Sequence, residues 1–309
     1  MRQFKKILVG VDLSQGDKLV GEDLAPPTSA AIEQALWLAK LNSAHLQFFY
    51  TLDIGYPAQL LIQEEHNKNS TVFNKAKRAL ERLVQRATDM GLSAEQVVTF
   101  GKSWLGIIRQ VIRDRCDLVI VGAKDRGPLE RLFIGSTGMK LLRKCPCPVW
   151  VTHAEESAAH DAILVGHDLT EVGDLALDLA ASMAELHGAT LHVVHAMEPV
   201  FLDAVESIAG LDVVDENKRR EAYHRIREQL ERFNLPSEPQ VHVVSGPAAA
   251  VLLQRIEQYK IDLLVMGTIA RTGVNGLIFG NTAERLLPQV NCSVIAVKPA
   301  DFRSPVTVE

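Results

Sequence analysis

Residues 261–297 read IDLLVMGTIARTGVNGLIFGNTAERLLPQVNCSVIAV, and the order of residue types along them decides the fold. The run from Leu263 to Met266 is apolar without interruption and too short for a helix, which predicts a strand buried on both faces of a parallel sheet. Gly267 ends the run. The stretch that follows carries Gly273, Gly276 and Gly280 and reads as a loop. Asn281 and Thr282 read as caps of an amphipathic helix that Pro288 closes, and residues 294–297 form a further buried strand. A strand, a glycine-rich loop and a helix N-terminus in that order offer backbone amides and a positive dipole end to an anion, so the stretch has the build of a phosphate site.

The same stretch occurs earlier. Residues 116–151 read CDLVIVGAKDRGPLERLFIGSTGMKLLRKCPCPVWV, with Asp117 matching Asp262, Gly122 matching Gly267, Gly135 matching Gly280 and Cys147 matching Cys292, every pair 145 positions apart. The chain is therefore a tandem duplication. KKILVGVD, ending at Asp12, and AILVGHD, ending at Asp168, are the matching first strands, and here the offset is 156. The first repeat thus carries 11 extra residues, which fall in QGDKLVGEDLAPP at 15–27. Gly and Pro make this a loop at the carboxyl ends of the strands, where open α/β sheets bind ligands. Its Asp17, Glu22 and Asp23 against a lone Lys18 disfavour a phosphate there.

Between these landmarks, apolar residues recur at helical spacing at Ile32, Ala35, Leu36 and Ala39, and again at Val172, Leu175, Ala176, Leu179, Ala180, Met183 and Leu186. Second helices carry Phe73, Ala76, Leu80, Leu83, Val84 and Ala87 in one copy and Ala222, Ile226, Leu230 and Phe233 in the other, and third helices begin after Gly101 and Gly246. Five strands alternating with helices in each repeat predict two doubly wound, Rossmann-like α/β domains with parallel sheets and right-handed crossovers. The acidic tether HAEESAAHD at 153–161 divides them, giving domains at 1–153 and 161–300, a linker at 154–160 and a tail at 301–309.

A length of 309 residues, 47% hydrophobic and 23% charged, suits two ordinary globular domains. No apolar run approaches the roughly 18 residues of a membrane span, and the first residues lead into a strand without a signal-peptide core, so a cytoplasmic location is expected. A net charge of -5 speaks against nucleic acid and anionic membrane as partners. Cys116, Cys145, Cys147 and Cys292 form neither a secreted disulfide framework nor a C-x-x-C pair and read as small buried thiols.

In a doubly wound sheet the first and fourth strands are neighbours at the switch point. Asp168 should therefore face the Gly267 to Thr282 loop, and Asp12 the Gly122 to Ser136 loop. Such an acid accepts hydrogen bonds from a ribose or base while loop amides hold phosphate; the alternative is that each Asp caps the helix after it. The loop lacks a P-loop signature, and no G-x-G-x-x-G follows the first strand. His167, His192 and His195 lie close in sequence without the spacing of a known zinc class and read as solvated or core-satisfied. Trp104 and Trp150 read as packing residues, and no nucleophile with an adjacent base can be assembled, so no catalytic residue is expected.

Taken together, GTIARTGVNGLIFGNTAERLL, LLRKCPCPVW and the doubled strand-Asp ends resemble the universal stress protein family in its tandem, two-domain E-type, over essentially the whole chain. The resemblance implies the adenine-nucleotide alpha-hydrolase type of α/β fold, induction under stress and, for some members, ATP binding through G-x-x-G-x9-G-[ST]. In the second repeat that pattern falls on Gly267, Ala270, Gly280, Asn281 and Thr282, with Asp168 at the strand end and Ala196 and Met266 lining the adenine; Arg271, inside the loop, is the cation placed to reach a phosphate. In the first it falls on Gly122, Asp125, Gly135 and Ser136, with Asp12 at the strand end, Thr51 and Val121 at the adenine positions, and Lys124 and Arg126 nearby. A carboxylate at Asp125 would repel phosphate, so the second repeat is the expected site of ATP or another small phosphorylated ligand and the first a degenerate copy. A nucleotide-independent scaffold or carrier is the alternative. The resemblance further implies an intramolecular pseudo-dimer through the last strands, 149–151 against 294–297, with homodimerisation of whole chains left open.

Overall fold

The computed structural model describes residues 4–14, 18–21, 23–54, 72–124, 134–153, 160–197, 216–272 and 276–308, with the backbone alone for 270–272 and 276–278. The first repeat runs β1 (Lys6–Gly10), α1 (Pro26–Asn42), β2 (His45–Leu52), α2 (Val72–Asp89), β3 (Ala94–Phe100), α3 (Ser103–Asp114), β4 (Leu118–Gly122), α4 (Gly135–Lys144) and β5 (Val149–Thr152). The second runs β6 (Ala162–Gly166), α5 (Glu171–His187), β7 (Thr190–Met197), α6 (Glu216–Leu230), β8 (Gln240–Ser245), α7 (Ala248–Tyr259) and β9 (Leu263–Gly267). It ends with β10 (Ile269–Thr272), β11 (Gly276–Phe279), α8 (Asn281–Leu286) and β12 (Ser293–Val297). The chain divides into two compact units, Ala159–Pro299 in one and Gln3–Ala158 with Ala300–Glu309 in the other. The residues after 299 thus group with the first repeat, where Arg109 Nε donates to the Thr307 carbonyl at 3.3 Å.

Within the first unit the strand order is β3-β2-β1-β4-β5, and within the second β12-β9-β6-β7-β8. The pairings are parallel throughout each order. Successive side chains on a strand point to opposite faces, so the consecutive buried residues of β4 and β9 mean that both faces are covered by helices. The apolar stripe of α1 is buried where the spacing places it, and that of α5 likewise except at Leu175 and Leu186, which are half-buried.

One acid in each repeat ties its strands together at their amino ends. Asp117, entering β4, accepts the Lys5 and Lys6 amides at 2.7 and 3.1 Å; Asp262, entering β9, accepts the Asp161 and Ala162 amides at 2.7 and 3.3 Å. The duplicated aspartate therefore caps the start of the neighbouring first strand. The glycines ending β4 and β9 have an equally specific role. A Cβ on Gly122 would stand 2.6 Å from the Pro27 backbone, and one on Gly267 2.8 Å from Val172 Cγ1. Each lets the first helix of its repeat lie close against the fourth strand.

All four cysteines are buried, and Trp150 is fully enclosed. Cys145 and Cys147 Sγ lie 3.7 Å apart as thiols. The contact with Cys145, together with burial, raises the Cys147 pKa, and burial pushes Cys116 up to about 12.

The stretch after Gly267 corrects the expectation of an open loop. Residues 269–272 and 276–279 form an antiparallel hairpin with Ile269 opposite Phe279, Ala270 opposite Ile278, Arg271 opposite Leu277 and Thr272 opposite Gly276. The β-branched and aromatic content of both arms favours a ladder. Asn281 and Thr282 do not cap α8 either. They occupy its first two positions, and Gly280 is the cap residue, with φ -67 and no side-chain hydrogen bond.

Candidate functional site

The carboxyl ends of β6, β7, β9 and β12 define the second repeat's crevice. Register places Gly166 opposite both Met266 and Val194, and Val297 opposite Gly267, so Asp168, Ala196, Met266 and Gly267 emerge at one edge of the sheet. Gly280 joins them because its amide donates to the Thr268 carbonyl at 3.0 Å. That bond removes the Gly280 amide from service to a ligand, and the hairpin ladder engages further amides of the glycine stretch. The first intrahelical bond of α8 is Glu284 N to Gly280 O, so the amides of Asn281, Thr282 and Ala283 have no acceptor within the helix. Among the described residues, a Cβ at Gly280 would meet nothing nearer than the Thr268 carbonyl at 3.9 Å.

Asp168 is exposed, and its Oδ1 accepts the Thr170 amide at 3.1 Å and the Thr170 hydroxyl at 2.6 Å. Thr170 in turn caps α5, its Oγ1 accepting the Gly173 amide at 3.3 Å. The first repeat repeats the device, with Asp12 Oδ1 accepting the Ser14 amide at 2.9 Å and hydroxyl at 2.6 Å. Each acid is thus locked in orientation by the residue two places on. In the second repeat Thr170, and not the acid, is the helix cap. The doubled Asp-Leu-Ser and Asp-Leu-Thr triplets carry this signal in the sequence.

Behind Asp168 lies a histidine relay that spacing alone does not reveal. His167 is buried; its Nδ1 accepts the Leu169 amide at 3.0 Å, which leaves the proton on Nε2, 3.1 Å from Asp174 Oδ1. Arg225 pairs with Asp174 at 3.0 Å from outside. Burial lowers the His167 pKa, so the ring is neutral and serves to hold Leu169 in its left-handed conformation at φ 59. His195 donates from Nδ1 to the His167 carbonyl at 2.8 Å, bringing a half-buried imidazole to the same strand end. Lys298, just past β12, is the second group missed from the sequence. It is buried, and its Nζ donates to Thr268 Oγ1 at 2.5 Å, beneath the base of the hairpin.

The first repeat's crevice is built differently. Gly122 and Val121 end β4, Thr51 is buried in β2, and Asp12 is exposed past β1. Gly135 has φ +62, unlike its counterpart Gly280, and opens a ten-residue α4 with Ser136 exposed in its first turn. Lys124 packs beside it, 3.2 Å from where a Gly135 Cβ would stand. Asp125 and Arg126 lie outside the described residues, as do Asp17 and Glu22 of the acidic insertion and the side chains of Ala270 and Arg271. A cleft of about 310 Å³ runs from the carboxyl end of β3 along α3, and one of about 280 Å³ lies between the end of α6 and residues 231–239.

The model of the universal stress protein family matches residues 3–153 and again 160–298. The chain is 23% identical over 320 residues to universal stress protein E of Photorhabdus laumondii, covering 99% of this chain and 98% of that one. Among solved structures, a putative universal stress protein from Pseudomonas aeruginosa superposes with TM-score 0.71 at 25% identity, over 96% of this chain and 94% of its own. One from Archaeoglobus fulgidus superposes with TM-score 0.65 at 18% identity, over 96% and 99%. No helix among the described residues is long and apolar enough to cross a membrane.

Proposed function

The chain belongs to the universal stress protein family, with the family's domain present twice, and from that premise we propose that it is a non-catalytic cytoplasmic stress protein whose second repeat holds ATP or a related adenine nucleotide. The observation that carries the reading is the convergence of an orientated, exposed acid, Asp168, with Gly267 and Gly280 at the carboxyl ends of adjacent strands. Asp168 has the chemistry to accept a ribose or base hydrogen bond, and the amides of residues 281–283 have the direction to receive phosphate oxygens. The neutral His167 and the charges of Asp174 and Arg225 support the acid from behind. Burial raises the pKa of Cys116, and the Cys145 contact together with burial that of Cys147, which keeps these two thiols out of nucleophilic chemistry and fits a binding role.

Titration calorimetry with ATP, on the full chain and on Gly280→Asp, tests this. The Gly280 backbone, at φ -67, accepts a side chain without strain, and among the described residues its Cβ would meet only the Thr268 carbonyl at 3.9 Å, so the variant is expected to fold, which a melting curve checks. A carboxylate about 5 Å from a phosphate at an effective dielectric of about 20 costs about 3 kcal/mol, more than a hundredfold in Kd. Wild-type binding that Gly280→Asp abolishes is the expected outcome; equal affinity in the two proteins, or no binding in the wild type, ends the proposal.

One observation favours the alternative of a nucleotide-independent scaffold: the hairpin and the Thr268 carbonyl engage amides that a phosphate would otherwise take. Release of bound nucleotide from the purified, heat-denatured protein distinguishes the two. We further propose that the repeats pair through β5 and β12 as a pseudo-dimer. Each is the outermost strand of its own five, and each is a buried apolar segment that as a free edge would invite aggregation.

A further inference from the structure

The connection from α4 to β5 in the first repeat holds two cysteines that the nucleotide reading does not use. Cys145 and Cys147 flank Pro146, and their Sγ atoms lie 3.7 Å apart as thiols. The two residues are 0% and 8% exposed, while Pro146 between them is partly exposed, so the pair lies just under the surface. Cys116, at the entry to β4, turns its Sγ to Gln47 Oε1 at 4.0 Å instead.

The backbone on either side of the pair is pinned. The Cys145 amide donates to the Leu141 carbonyl at 2.9 Å and closes α4, while the Pro148 carbonyl accepts the Val119 amide at 3.0 Å beside β4. Pro146 and Pro148 fix φ within this short span, so the two sulfurs are held in contact before any ligand arrives. The second repeat lacks the pair. Val290 stands where Cys145 does, and Cys292 alone matches Cys147. Val290 is 1% exposed, so an aliphatic side chain fills this place in the fold and packing by itself does not call for the second thiol.

We propose that Cys145 and Cys147 bind one soft monovalent metal ion of the copper(I) class. Among the described residues no third His, Cys, Asp or Glu joins them as a metal-holding group, which rules out a tetrahedral zinc centre there, and hard cations take oxygen ligands. Copper(I) favours thiolates and is satisfied by two of them in line. With metal–sulfur bonds of about 2.3 Å such a bridge spans about 4.6 Å, so the sulfurs need part by only about 1 Å from their 3.7 Å contact. Binding replaces both thiol protons by the metal, so two protons leave and the complex carries one negative charge. Burial opposes a free thiolate more than one neutralised by a cation, and it keeps water and oxidant from the ion. Arg143 and Lys144, in the last turn of α4, adjoin the pair and favour the charge of the complex, whereas Asp117 opposes it.

The test uses the full chain, reduced and kept free of oxygen, with copper(I) buffered by a coloured chelator as probe. The wild type should withdraw one equivalent of copper, and X-ray absorption at the copper edge should show two sulfur neighbours; zinc(II) should not displace it. Cys145→Val, which installs the residue of the second repeat, and Cys147→Ser should each weaken copper binding about a hundredfold or more, whereas Cys292→Ser, which removes an isolated buried thiol, should leave it unchanged. Melting curves establish that the variants are folded, and the edge spectrum of the wild type stands without them. No copper withdrawn by the wild type, nitrogen or oxygen neighbours at the copper, displacement by zinc, wild-type affinity in Cys145→Val, or loss of binding in Cys292→Ser would each overturn the proposal.

Discussion

Replacing His192 by glutamine should remove a specific sensitivity of the second repeat to acid. His192, on β7, is 4% exposed and packs in a cluster of three rings, 5.8 Å from His242 and 4.4 Å from Tyr259, which are themselves 5.1 Å apart, with Arg255 over the Tyr259 ring. Its Nδ1 has no hydrogen-bond partner, and no acid is stacked against it. Burial, reinforced by His242, lowers its pKa from 6.5 to about 4, while burial and Arg255 lower that of His242. The folded chain therefore takes up this proton less readily than the unfolded chain. The stability it contributes is complete above pH 6.5 and is lost as pH falls from 6.5 towards 4. At pH 5 the loss is about 2 kcal/mol, and below pH 4 it levels off at about 3 kcal/mol.

The first repeat supplies the control residue. At the position corresponding to His192 it has Gln47, whose Nε2 donates to Glu95 at 2.8 Å and Asp114 at 2.6 Å, so glutamine already occupies this place in the fold. Urea unfolding of the full chain and of His192→Gln, each at pH 7 and pH 5, isolates the effect. His167, His187 and His242 also have lowered pKa values and titrate in both proteins, so their contributions cancel in the comparison. The wild type should lose about 2 kcal/mol more than the variant between the two pH values, a midpoint shift of about 1 M urea. Equal losses in the two proteins would show that the stacked imidazole is not the acid-sensitive group.

Two substitutions examine the elements that position the crevices. Gly122→Ala should cost about 1–3 kcal/mol, because its methyl meets the Pro27 backbone at 2.6 Å, whereas Gly280→Ala, with 3.9 Å to its nearest neighbour, should be nearly neutral; melting temperatures of the two variants check the order. Asp262→Ala, which strands the Asp161 and Ala162 amides, should cost about 1–2 kcal/mol and accelerate hydrogen exchange at those two amides before others in β6.

The repeat, the strand and helix order and the parallel sheets are all legible in the linear pattern. Runs such as Leu263 to Met266 and stripes such as Ile32, Ala35, Leu36 and Ala39 state their own burial through period and composition. Asp12 and Asp168 could likewise be placed at strand ends, since an acid directly after a buried run has nowhere else to go. The hairpin of β10 and β11 was not legible, because the glycines of this stretch read as a loop and its ladder depends on residues four to ten positions apart meeting. The roles of Gly122 and Gly267 were also open. A glycine beside a ligand and a glycine beneath a helix look alike until the neighbouring backbone is in place.

Polarity period and backbone preference are properties of neighbours in the chain, and they are enough to establish a doubled, doubly wound α/β protein with an acid and a glycine stretch at each switch point. Which amides remain available, which histidine holds Leu169 and how Lys298 reaches Thr268 all depend on groups brought together across the sheet. Hydrogen bonding, desolvation and close contact act over a few ångströms of space whatever the separation along the chain, and folding alone sets that distance.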